Sequence, residues 1–71
     1  MARALKMYHI KNLETQEDEE KIKAVLKGVS GIIRVNPESR FAIIEIEFED
    51  ALIDAATIRD LLAKEGYQMI I

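Results

Sequence analysis

Acidic side chains crowd one stretch of this chain. Five of the seven residues in 14–20 are carboxylates (Glu14, Glu17, Asp18, Glu19 and Glu20), and no Lys or Arg interrupts them. Oxygen donors suit hard cations such as Ca²⁺, Mg²⁺ or Mn²⁺. Consecutive helical residues point outward in different directions, however, and the Gly-punctuated acid spacing of a dedicated calcium loop is absent. The same residues have a structural use. Thr15, followed three positions later by Asp18 and then by an apolar helical pattern, reads as a helix N-terminus. The hydroxyl accepts from an exposed backbone N–H, and the carboxylate reaches back to the cap residue's own N–H. Acids in the first turn also complement the positive end of the helix dipole. A capped, solvated helix start is the expectation, with only weak cation affinity from Glu14 and Glu17.

Other side chains able to do chemistry are few. His9 is the single histidine, and imidazole suits zinc, copper or nickel. On a mid-strand position, without a second soft ligand, it reads as a sheet-face residue. Met1, Met7 and Met69 do not make a copper set, because Met7 and Met69 fall in apolar-rich strands where a thioether fills core or edge. The absence of Cys excludes disulfides, thiolate zinc sites and thiol nucleophiles together. With one His and no nucleophile–base pair, neither enzyme activity nor a cofactor is expected.

The elements that must position these residues follow from periodicity. Residues 4–11 alternate, with Tyr8 and Ile10 on one face and Lys6, His9 and Lys11 assigned to the other, which predicts a half-buried strand. Asn12 supplies a residue tolerant of unusual backbone angles at its exit. From Thr15 the period becomes helical, with Ile22, Val25, Leu26 and Val29 as the apolar stripe and Gly28 and Gly31 marking the stop. Residues 32–36 predict a second strand, and residues 36–40 a turn with Pro37 at its second position. In residues 41–49, Ile44, Ile46 and Phe48 alternate with Glu45, Glu47 and Glu49, predicting a strand with one apolar and one acidic face. Lys6, Lys11 and Arg34 are expected to offset that acidic row. Asp54 can cap a second helix with Ile58, Leu61 and Leu62 as its stripe. Gly66 ends that helix, and Tyr67, Met69 and Ile71 alternate as a last strand.

The order strand–helix–strand, strand–helix–strand predicts an α+β, ferredoxin-like βαββαβ sandwich, with a four-stranded antiparallel sheet and both helices on one face. Seventy-one residues make one domain, 1–71. A net charge of −3 without a basic stripe disfavours a nucleic-acid partner. No apolar run approaches the roughly 20 residues of a membrane span, so membrane insertion is not expected and a cytoplasmic location is. The second and fourth strands should form the sheet edges. An exposed edge can pair with a copy of itself, so a weak homodimer through an edge strand is one expectation.

Across its whole length the chain resembles the heavy-metal-associated domain family, the copper chaperones and the N-terminal modules of copper-transporting P-type ATPases. The resemblance rests on Tyr8-His9-Ile10-Lys11-Asn12-Leu13 leading into the first loop, and on Ile22, Val25-Leu26, Val29-Ser30-Gly31-Ile32 and Val35. Ile44-Glu45-Ile46-Glu47-Phe48, Ile58, Leu61-Leu62 and Gly66-Tyr67 complete it. In the family a Met-x-Cys-x-x-Cys loop binds Cu(I). Here Leu13 stands at the Met position, and Thr15 and Asp18 at the two Cys positions. A hydroxyl and a carboxylate are hard donors that do not suit soft Cu(I). What the resemblance implies is a non-catalytic interaction or regulatory module linked to metal homeostasis. Its protein partner would be a metal transporter or another domain of the same kind. Its interaction surface would be Glu14, Glu17, Glu19, Glu20 and Tyr67. The alternatives are a metal carrier using His9 or carboxylates, and a small-ligand-sensing regulatory domain.

Overall fold

The computed structural model describes residues 3–71; Met1 lies outside them. Six elements follow in the order β1 (Arg3–Lys11), α1 (Gln16–Leu26), β2 (Ile32–Glu38), β3 (Ile43–Glu49), α2 (Ala55–Ala63) and β4 (Gln68–Ile70). The strands form one antiparallel sheet in the order β2-β3-β1-β4. The ferredoxin-like arrangement is present, with β2 and β4 at the edges. Twelve residues form the core, among them Ile10, Leu13, Ile22, Leu26, Ile44, Ile46, Ile58, Leu62 and Met69. The strand contributions come from alternate positions, which places both helices over one sheet face and leaves the other open.

Each helix begins where a side chain can accept from its free N–H groups. Thr15 and Asp18 form the reciprocal capping box, and Glu17, Asp18 and Glu19 stand in the first turn of α1. At α2 the Asp54 carboxylate accepts from the Thr57 N–H at 2.8 Å. The connection into β2 is a tight approach. At Gly31, with φ +95°, a Cβ would lie 2.8 Å from Ile53 Cγ2 and 3.0 Å from Leu52 Cβ. Only glycine fits that backbone there.

Several elements depart from the sequence pattern. Pro37 is not a turn residue; it is buried within β2, opposite Ile44. An edge strand needs ladder donors on one side only, which is where proline is tolerated. The chain reverses after Glu38, and Phe41 and Ala42 precede β3, Phe41 exposed and Ala42 at φ +53°. Lys6 shares its sheet face with Tyr8 and Ile10, opposite Ile46, and stays exposed because its long stem carries the ammonium to water. It therefore does not offset the acidic row; Arg3 and Arg34 do, both pairing with Glu47 at 3.5 and 3.8 Å. Met69 is buried as expected, but Met7 is 63% exposed on the open face. The final strand is 68–70, with Tyr67 and Met69 buried and Ile71 exposed.

Both edges carry features that oppose self-pairing. The register slips between Ile32 and Arg34 in β2, Pro37 removes a donor, and β4 is three residues long. Bulges, prolines and short strands are the usual means of blunting an edge.

Candidate functional site

Three connections meet at one end of the sandwich: β1 to α1, the β2–β3 hairpin, and α2 to β4. Side chains lace them together. Asn12 Nδ2 donates to the Gly66 carbonyl at 2.9 Å, the Ser39 N–H donates to Glu19 Oε2 at 2.7 Å, and the Tyr67 hydroxyl donates to Asp18 Oδ1 at 2.6 Å. The Ile10 N–H also bonds the Ala42 carbonyl at 2.8 Å, tying the hairpin to β1. Asn12 has φ +73°, the left-handed conformation that asparagine tolerates, and this turns the chain from β1 into the loop.

The positions expected to mark a degenerate metal loop are all engaged in holding the fold. Leu13 is 1% exposed and belongs to the core. Thr15 Oγ1 accepts from the Asp18 N–H at 3.1 Å. The Asp18 carboxylate takes three donors, the Tyr67 hydroxyl on one oxygen and the Glu14 and Thr15 N–H groups on the other at 3.0 and 3.1 Å. Hydrogen bonds to the ionised form favour it, so the Tyr67 hydroxyl first and the Glu14 N–H next hold the Asp18 pKa down at about 2. The reciprocal effect falls on Tyr67. Its donated bond to Asp18, then burial, then the charges of Asp18, Glu17 and Glu65 push its pKa up to about 12. Glu19 is held below the usual carboxylate range by the Ser39 bonds.

The remaining residues do not converge. Glu14, Glu17 and Glu20 are exposed around the start of α1, while Glu19 is drawn inward by Ser39. Tyr67, expected on the interaction surface, is 5% exposed; its ring packs in the core and its hydroxyl is committed to Asp18. His9 lies on the open sheet face between Ile43 and Ile70. Among the described residues, no three His, Asp or Glu side chains are placed to hold a metal ion together. Near the loops, a shallow groove of about 440 Å³ runs between Gln16 and Glu19 of α1 and Ser39, Arg40 and Phe41 of the hairpin. Sequence reasoning did not anticipate the lacing by Asn12, Ser39 and Tyr67. Their partners lie 54, 20 and 49 residues away. The one local signal was a hydroxyl-bearing aromatic directly after the helix-ending Gly66.

No family model matches the sequence, and no curated protein does. Solved structures match in fold. The structure of oxidized MerP from Ralstonia metallidurans CH34 aligns with a TM-score of 0.89 over 97% of this chain and 96% of its own, at 16% identity. A putative copper-ion-binding protein from Bacillus anthracis str. Ames aligns at 0.89 over 97% of both chains, at 13% identity. A copper binding domain from HMA7, a P-type ATPase, aligns at 0.86 over 99% of this chain and 96% of its own, at 12% identity. The chain thus has the fold of heavy-metal-associated domains, without cysteine. No helix among the described residues is long and apolar enough to cross a membrane.

Proposed function

We propose that the chain is a non-catalytic docking module, a heavy-metal-associated-like unit whose loop end binds a protein partner and carries no metal. The observation that supports this most directly is the fate of Thr15 and Asp18. Both side chains are consumed in closing the loop, through the capping box and the Tyr67 bond. The hydrogen bonds hold the loop closed without an ion, and three exposed acids, Glu14, Glu17 and Glu20, surround it. The fitting partner is a basic surface on a metal transporter or on another domain of this fold, met in the cytoplasm. Shallow grooves and the absence of a nucleophile–base pair support a role outside catalysis.

The test has two arms. In competition against a Cu(I) chelator, the parent chain should bind no better than a generic Met- and His-containing protein, while Thr15→Cys with Asp18→Cys should bind clearly. In an NMR titration with a purified metal-binding domain of a copper-transporting P-type ATPase, amide shifts should move at Glu14, Glu17 and Glu20. Tight Cu(I) binding by the parent, or shifts confined to other surfaces, would overturn the reading.

A further inference from the structure

The sheet face away from the helices is apolar where it would be expected to be wet. Alternation about the buried Ile10, Ile44, Ile46 and Met69 places Leu5, Met7 and His9 of β1, Ile43 of β3 and Ile70 of β4 on that face. Register brings them together. Met7 stands across from Glu45, Leu5 from Glu47, and His9 between Ile43 and Ile70. Leu5 is 56%, Met7 63% and Ile70 46% exposed. Together they expose on the order of 300 Å² of apolar side chain, the size at which a patch on a small monomer often has a use. Beside this strip, along β3, runs the row Glu45, Glu47 and Glu49. Among the described residues only Glu47 of that row has ion-pair partners, Arg3 and Arg34.

We infer that this open face is a second docking surface, and that it takes a basic amphipathic helix of a partner protein. Three features of the face select that occupant. The apolar strip faces outward from the plane of the sheet on β1, whose backbone pairs with β3 along residues 3–9 and with β4 along residues 9–11 only. A strand added beside β4 along residues 4–8 would pair in the plane of the sheet and leave the strip uncovered, so a contact on the strip itself must be made by side chains. Leu5 to His9 spans about 13 Å at strand rise, the length of between two and three helical turns. Apolar residues at i, i+3, i+4 and i+7 would cover it. The acidic row then lies alongside the helix, where Lys or Arg on one flank would meet Glu45 and Glu49. A second copy of this chain fits less well. A twofold contact through the apolar strip would leave Glu45 and Glu49 of both copies without cations, and each copy carries a net charge of −3.

The test uses the whole chain and a synthetic Lys/Leu peptide of about 14 residues, roughly four helical turns, together with a scrambled peptide of the same composition. Saturable amide shifts at Leu5, Met7, Ile43, Glu45 and Ile70 are expected with the patterned peptide only. Leu5→Ser with Met7→Ser should weaken binding roughly tenfold or more, the effect of removing two apolar side chains from an interface, while its unfolding midpoint stays near the parent's because both positions are exposed. Glu45→Gln with Glu49→Gln should weaken binding and flatten its salt dependence. Equal binding of the scrambled peptide, shifts on the helix side, or concentration-dependent self-association through these residues would overturn the inference.

Discussion

The two ends of this sandwich are closed by different kinds of interaction. At the end where β1 meets α1, side chains do the closing: Asp18 with Tyr67, Asn12 with Gly66, and Glu19 with Ser39. At the opposite end, where α1 leads to β2 and β3 to α2, backbone and packing do it. The Glu49 N–H bonds the Gly31 carbonyl at 2.8 Å, the Ile53 N–H bonds the Glu49 carbonyl at 3.1 Å, and Gly31 lies against Leu52 and Ile53. One end is held by groups that titrate and can be exchanged one at a time. The other has one such carboxylate, Asp54 at the cap of α2, and is otherwise held by a shape that admits one residue type at Gly31. The loop end is thus the one where single side chains can be exchanged without a backbone clash.

The comparison can be broken most forcefully at Gly31. Gly31→Ala combines a left-handed φ with a methyl group 2.8 Å from Ile53 Cγ2, and should cost roughly 2–4 kcal/mol in chemical denaturation. A cost below that of a loop-end variant would contradict the contrast. At the other end, Tyr67→Phe removes one of three donors to Asp18 and should cost about 1 kcal/mol, with little change in packing. The same variant should let the Asp18 pKa rise from about 2, read by NMR titration; an unmoved pKa would mean that the hydroxyl is not its main support.

The smallest effect expected is a change with pH. Asp18 is depressed in the folded chain relative to its ordinary 3.8, so the stability it contributes is present above about 4 and is lost as pH falls toward 2. Glu19, also depressed, adds a loss in the same direction. Tyr67 is raised above its ordinary 10.0; its contribution is full below 10 and is lost as pH climbs toward 12. Amide shifts of Thr15 and Ser39 should follow the acid step, and those of Gly31 and Ile32 should not. Parallel movement of both sets would show that the ends are not independent.

The fold was legible in the sequence because its cues are local. Alternation in 41–49, helical spacing from Ile22 to Leu26, Thr15 and Asp54 ahead of their helices, and glycines after them each act within a few residues. Pro37 was misread for a local reason too: its turn preference is real, but a strand edge satisfies it equally. Lys6 and Met7 depart from expectation because position in the alternation, and not the type of side chain, decides which sheet face a residue takes. At the loop end the positions Leu13, Thr15 and Asp18 were visible, as was the capping role of two of them. The bond from Tyr67 that closes the loop was not. Tyr67 reads as a core aromatic until the fold brings its hydroxyl to a carboxylate 49 residues earlier.

The strand order has a consequence for how the chain is made. β1 sits between β3 and β4, yet it leaves the ribosome before either of them. It can dock on β3 once residue 49 has emerged, but its other flank stays unpaired until 68–70 follow. Until then an apolar strand carries open N–H and C=O groups along that side, the condition under which nascent chains misassociate. The pairing that finally covers it is only three residues long, His9, Ile10 and Lys11 against Ile70, Met69 and Gln68. The pairing that completes the sheet therefore forms only after the other five elements have emerged.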